Sequence, residues 1–358
     1  MRKVVKLARV LAALVGLACT AARPAAAYDG IVEKKTFELA SMITTGGETI
    51  APVRIGWESY GELNQARDNA ILITHFFSAT SHAAGKYDAD DKRAGYWDQF
   101  IGSGKLIDTD RYFVISSDTL VNLNAGDPNV ITTGPASTNP KTGRAYALDF
   151  PVVTIRDFVN VQKALIESLG IKKLHAVMGA SMGALQALEW ASAYPKMVER
   201  AIPIVGAGET DAFLIGWLDV WAEPIRLDPN WNGGDYYDSE PPVGGLVAAL
   251  KIATLQANYW ESADQQFGRR QANEGQEQGH AFENRYAIEA YLDETARARA
   301  STADANHFLY LVEANQAFIT GHGDSLAEGL ARIEAPVLLI AAKDDLIFFT
   351  APASHRRR

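Results

Sequence analysis

The sequence predicts an α/β protein: a mostly parallel sheet with helices on both faces and a helical insertion before the last strand. Three observations carry this. Apolar runs at residues 70–74, 112–116, 174–178, 201–205 and 336–341 read as strands, and helical patterns alternate with them. A strand runs through Gly179-Ala180-Ser181-Met182-Gly183 directly into a helix. Between the last two strands, residues 209–330 carry helical spacing and four of the seven tryptophans, Trp217, Trp221, Trp231 and Trp260. The organisation read from this is a leader at 1–27, a core at 28–208, a helical lid at 209–330 and the last part of the core at 331–358.

The leader comes first. Arg2, Lys3, Lys6 and Arg9 precede and enter an apolar run from Val10 to Ala18, and Ala25-Ala26-Ala27 offers a small-residue cleavage site. This is the pattern of a secretory signal, and the run is shorter than the roughly 20 residues a bilayer span needs. A secreted or periplasmic protein without stable membrane insertion is therefore expected. Gly16 stands where a lipobox prefers leucine, which argues against lipidation at Cys19. Cys19 is the single cysteine, so the chain after the leader has no internal disulfide or thiolate metal site. Residues 1–27 hold five Lys/Arg and no acidic residue, so their removal takes the formal charge from −9 to −14. Such an acidic surface argues against a nucleic-acid partner.

Residues 28–68 alternate apolar and polar positions (Val32, Phe37, Leu39; Val53, Ile55, Trp57) around Gly46-Gly47, which predicts an antiparallel hairpin at a sheet edge. Ala70–Thr74 is a continuous apolar run, expected to be covered on both faces. It ends at His75-Phe76-Phe77-Ser78, a loop at the carboxyl end of a strand, where open α/β sheets gather ligands. Ser78 is thereby a candidate substrate contact. After the strand at 112–116, the segment to Phe150 is rich in Gly, Pro, Asn and Thr without apolar periodicity, an expected long ordered loop. Thr154-Ile155-Arg156-Asp157 resembles a capping box. Ile155, Phe158, Val159, Ile166 and Leu169 then give a helix an apolar face that ends at Gly170.

The Gly-x-Ser-x-Gly stretch holds its serine on a strained strand-to-helix turn, where side chains two residues away on either side would collide. Strand before and helix after are both present: Leu174–Met178, then Met182, Leu185 and Leu188 at helical spacing before Pro195. Ser181 is the candidate nucleophile. The N–H of Met182 opens the helix and is a candidate oxyanion donor, with Phe77 N–H from the earlier loop as the second. A Gly-rich connection with an idle serine is the plain alternative.

Further ordered motifs accompany this turn. They are Pro52–Gly61 (Pro-Val-Arg-Ile-Gly-Trp-Glu-Ser-Tyr-Gly), Thr74-His75, Ser81-His82, Gly95-Tyr96-Trp97-Asp98, Thr133-Gly134-Pro135, Thr138-Asn139-Pro140, Leu148-Asp149-Phe150-Pro151, Asp228-Pro229 with Trp231, and Phe267-Gly268-Arg269. Together they resemble the homoserine O-acyltransferase family of the α/β-hydrolase fold, over the chain up to about residue 349. The resemblance implies ping-pong acyl transfer through a serine ester on Ser181, no metal or redox cofactor, and a homodimer packed through lid helices. It aligns Asp345-Leu346-Ile347-Phe348-Phe349 with the family's acid motif, so Asp345 is the expected triad acid and Asp344 the alternative.

Three departures from the family pattern shape the expected function. In this fold the histidine base follows the acid after another helix and strand, yet 13 residues remain beyond Asp345, ending in His355-Arg356-Arg357-Arg358. His355 is too near the acid, His322 precedes it, and His75 and His82 read as structural or pocket residues. A missing C-terminal strand and helix is the expectation, with loss of activity as its consequence. Second, the family's carboxylate-gripping arginine and the tyrosine seven residues later align with Leu250 and Ala257, leaving Lys251 or Arg226 as replacements. Third, acyl-CoA donors are cytoplasmic, whereas the leader predicts export. The expected function is hydrolysis of a small ester or related acyl compound. Acyl-CoA-dependent homoserine O-acylation is the alternative enzyme, and a catalytically dead binding protein the alternative from another class.

Overall fold

The computed structural model describes residues 28, 30–323 and 325–348. The leader with Cys19, and His355, lie outside them. Among the described residues ten strands occur in chain order: β1 (Lys35–Leu39), β2 (Met42–Ile43), β3 (Thr49–Ile50), β4 (Val53–Tyr60), β5 (Ala70–Thr74), β6 (Ile101–Gly102), β7 (Ile107–Asp108), β8 (Phe113–Ser117), β9 (Ala176–Ala180) and β10 (Ala201–Ile204). Six form the main sheet in the order β1-β4-β8-β5-β9-β10. Pairing is antiparallel along β1-β4-β8 and parallel from β8 to β10. The expected amino-terminal hairpin is present, with β1 on the sheet edge and the small β2-β3 ribbon folded into its connection.

Strand alternation splits the core in two. Leu72, Ile115 and Val177 face one side and pack with α1 (Ile155–Ser168) and α2 (Met182–Ala193). Ile71, Ile73, Val114 and Ala176 face the other side and pack with Ala83, Ala84, Ile101 and Ile107 from the β5–β8 connection. The Asp157 carboxylate accepts from Thr154 N at 2.8 Å at the start of α1, and Gly170 follows its end at φ +70°. Residues 118–146 form the expected loop without helix or strand, anchored by buried Leu120, Val121 and Leu123.

Several strand expectations change. Residue 174 lies before β9, bridged singly to Val198, and β10 stops at Ile204 because Val205 turns to positive φ. Pro336–Ala341 is a bridged segment rather than a regular strand. Four backbone hydrogen bonds run it parallel to β10 (Ala201 N to Pro336 O, Leu338 N to Ala201 O, Ile340 N to Pro203 O, Val205 N to Ile340 O). Val337, Leu338, Leu339 and Ile340 are exposed among the described residues.

After β10 the chain leaves the sheet for α3 (Ala212–Leu227), α4 (Val243–Gln256), α5 (Trp260–Phe267), α6 (Ala287–Ala300) and α7 (Ala305–Gln316), then returns through α8 (Leu326–Ala331). α3 packs on α4 and α7, and α4 on α6. Entry and exit of this excursion touch: Thr210 N donates to Phe318 O and Thr320 N to Gly208 O. No described helix is long and apolar enough to cross a membrane.

Candidate active site

The turn between β9 and α2 carries Ser181 at φ 55°, ψ −124°, a conformation an L-residue adopts only when its surroundings enforce it. Three contacts enforce it. Ser181 N donates to Ile204 O at 3.0 Å, Ala184 N donates to Ser181 O at 2.7 Å, and Thr74 Oγ1 donates to Gly183 O at 2.8 Å. A Cβ on Gly179 or Gly183 would collide with the Thr74 carbonyl oxygen, which explains glycine at both positions. Met182 opens α2, so its N–H precedes the intrahelical ladder.

The loop after β5 faces this turn. Phe77 lies edge-to-face on Trp221 and Phe308, with ring centroids 5.6 and 5.2 Å away. The loop is held from behind by a buried ionic cluster. Glu58 meets Lys34 Nζ at 2.8 Å and His82 Nδ1 at 3.1 Å, and accepts from Tyr60 and Tyr87 hydroxyls at 2.8 and 2.7 Å. Asp118 accepts from Ser81 N at 2.7 Å and pairs with Lys34 at 3.5 Å. Burial would raise the Glu58 pKa, but the His82 bond, the Lys34 charge and the Tyr87 bond outweigh it and hold it at about 2. Burial dominates at Asp118 and raises it.

Ser181, Phe77 and Ser78 line one cavity of about 690 Å³ together with Trp221, Asp344 and Asp345. Asp345 is half-buried and its Oδ1 accepts from Ile347 N and Phe348 N at 2.8 and 2.9 Å, whereas Asp344 is exposed. No described histidine lines this cavity. His75 is buried beside it with both ring nitrogens engaged: Nδ1 donates to Phe76 O at 2.8 Å and Nε2 accepts from Asn122 Nδ2 at 3.2 Å. Burial lowers its pKa to about 4, leaving a neutral ring with no free lone pair. His82 belongs to the Glu58 cluster, and His322 lines a separate small cleft with Arg156 and Glu189.

The proposed replacements for the family's arginine are corrected. Lys251 pairs with Asp293 at 3.4 Å and Arg226 with Asp219 at 2.7 Å; neither lines the cavity. Both stand on helix faces where an acidic partner lies within reach. Leu250 is buried in the helical core and Ala257 lines the cavity. Of the four insertion tryptophans, Trp221 alone lines it, donating to Gln256 Oε1 at 2.7 Å. Trp231 is spent on Asn306 and Trp260 is exposed. Sequence reading missed Arg299 and Thr254, which also line the cavity. Arg299 sits in an Ala-Arg-Ala-Arg-Ala stretch that reads as an ordinary solvated helix face. Among the described residues no cluster of three or more His, Cys, Asp or Glu is placed to hold a metal.

Comparison with known proteins agrees with this arrangement. Residues 93–352 match the alpha/beta hydrolase fold family. Homoserine O-acetyltransferase of Methanococcoides burtonii is 42% identical over 303 residues, 85% of this chain and 61% of the relative. That of Symbiobacterium thermophilum is 41% identical over 310 residues, covering 86% and 79%. The chain thus spans about three-fifths of the length of the first of these. Among solved structures, esterase E22 superposes with TM-score 0.84 at 53% identity, covering 89% of this chain and 87% of its own. Homoserine O-acetyltransferase from Bacillus anthracis gives TM-score 0.84 at 42% identity, covering 89% and 85%. With the strained serine turn, the mixed sheet and these relatives in agreement, the chain belongs to the homoserine O-acetyltransferase family of α/β-hydrolase enzymes.

Proposed function

We propose that the chain carries a serine acyl-transfer centre whose acceptor is water, so that it hydrolyses a small ester outside the cytoplasm. The observation that carries the reading is Ser181 at positive φ, opening on a cavity shared with Phe77 and Asp345. In this scheme Ser181 Oγ attacks the ester carbonyl carbon and the carbonyl electron pair moves to oxygen, where the N–H groups of Phe77 and Met182 receive it. Collapse breaks the bond to the leaving alcohol, which takes up the serine proton, and the acyl group stays on Ser181. Water then attacks, and the carboxylic acid departs. Asp345 has the role of orienting a histidine base; that base is the one member not found in the cavity among the described residues.

Leu250 in place of the family arginine and the likeness to an esterase support water as acceptor. The basic and apolar leader supports export, and residues 209–330 have the role of a lid over the cavity. A self-association surface is supported by the exposed Val220 and Leu227 on one stripe of α3. The printed names of the curated relatives favour O-acetylation of homoserine as the second reading. The deciding test follows p-nitrophenyl acetate hydrolysis and fluorophosphonate labelling in the chain and in Ser181→Ala, beside thiol release from acetyl-CoA with homoserine. Ser181-dependent ester turnover without homoserine-dependent thiol release supports hydrolysis, and the reverse pattern supports O-acetylation. A folded chain with an unreactive Ser181 and no turnover refutes both and supports a binding protein.

A further inference from the structure

Beside the exposed Lys343, the cavity is lined by a half-buried cation that forms no ion pair with any carboxylate among the described residues. Arg299 stands in the last turn of α6, half-buried, and lines the same cavity as Ser181 and Phe77. Its Nη1 donates to Thr254 Oγ1 of α4 at 2.8 Å. Among the described residues no Asp or Glu forms an ion pair with it, although Asp344 and Asp345 line the same cavity. The basic residues around it are different. Lys251, Arg285 and Arg297 all converge on Asp293, at 3.4, 3.9 and 2.9 Å.

A guanidinium presents five N–H donors in a planar fork and stays charged at any physiological pH. The bond to Thr254 uses one of them. The same bond leaves the Thr254 hydroxyl hydrogen available, because its oxygen is the acceptor. Trp221, Ala253 and Phe348 make the walls largely apolar, and the polar Tyr259 and Tyr291 among them carry no negative charge at neutral pH to balance the guanidinium. Burying a charge without a partner is costly, and a ligand anion would supply the missing one. A purely structural clamp between α4 and α6 would need a single neutral donor.

We propose that Arg299 and Thr254 form an anion subsite within the acyl-transfer cavity, and that its substrate is an ester bearing a free carboxylate. This rests on the hydrolytic reading above and names its substrate class. The chemistry at Ser181 is unchanged: the carboxylate is bound and stays intact while the ester bond, elsewhere in the molecule, is cleaved.

The test measures binding rather than turnover. Isothermal titration of Ser181→Ala protein compares monomethyl glutarate, which carries one free carboxylate, with dimethyl glutarate, which carries none. The monoester is expected to bind about tenfold or more tightly, as one charge-assisted pairing predicts. Adding Arg299→Gln should remove that preference, weakening the monoester far more than the diester. Arg299→Lys, which keeps the charge without the fork, should retain part of it, and thermal melts establish that each variant is folded. Equal affinities, no binding of the monoester, or a preference that survives Arg299→Gln would overturn the proposal. The parent reading fails separately. A reactive Ser181 with no carboxylate preference sinks the subsite alone, whereas an unreactive Ser181 with the preference intact sinks the hydrolytic reading.

Discussion

Replacing Glu58 by Gln should expose how much the ionic cluster behind the loop after β5 contributes. Glu58 is fully buried and receives a salt bridge from Lys34 at 2.8 Å, a bond from His82 and two tyrosine hydroxyls. Glu58→Gln leaves the Lys34 ammonium with Asp118 at 3.5 Å and removes its shorter ion pair. Breaking one side of a buried pair costs about 3–5 kcal/mol. Proton linkage gives a matching figure. A carboxyl held at about 2 instead of its ordinary 4.5 contributes about 3 kcal/mol at neutral pH. Because the folded pKa is the lower one, this stability is fully present above about pH 4.5 and is lost as pH falls toward 2. Asp118 runs the other way, its raised pKa favouring the fold in acid, and the comparison of two proteins that share it largely cancels that effect. Urea unfolding of wild type and Glu58→Gln at pH 7, and at steps down through the acid range, should show a gap of about 3 kcal/mol that narrows only below about pH 4.5. A gap under about 1 kcal/mol, or one independent of pH, would refute the claim that Glu58 is a buried, paired carboxylate.

Gly183→Ala should cost about 2 kcal/mol despite the better helix propensity of alanine, because the new methyl meets the backbone oxygen of Thr74 and not a mobile side chain. Chemical denaturation measures the loss, and a neutral or stabilising result would show that β5 yields. Export predicts a mature chain beginning at Tyr28, which intact-mass analysis of protein secreted by a bacterial host would reveal; an unprocessed amino terminus in the cytoplasmic fraction would rule it out. Val220→Glu with Leu227→Glu should lower the self-association measured by light scattering. An unchanged mass, or a monomeric parent protein, removes α3 as an interface.

The alternation of apolar runs and helical patterns was enough to foresee the mixed sheet, its amino-terminal hairpin, the capped helix α1 and the excursion after β10, because local periodicity reports which faces are buried. The Gly-x-Ser-x-Gly turn was equally legible, since its backbone geometry restricts which residues can flank the serine. Strand ends were less so. Val205 leaves β10 through a positive φ that a β-branched residue rarely adopts, and the exposure of residues 337–340 depends on what packs beside them.

The electrostatics of the site were decided by the tertiary structure. Lys251 and Arg299 are both cations on amphipathic helices, and nothing local distinguishes them. Folding brings Asp293 to Lys251 and leaves Arg299 facing the cavity with Thr254 as its partner. His75 likewise reads as a titratable group near Ser181 until Phe76 O and Asn122 are seen to occupy both its nitrogens. The sequence by itself determined which residues form the turn that presents Ser181, because that requirement lies in a few consecutive backbone torsions. Only the tertiary structure decided which charges remain unpaired in front of it, because charge compensation depends on residues far apart in the chain meeting within a few ångströms.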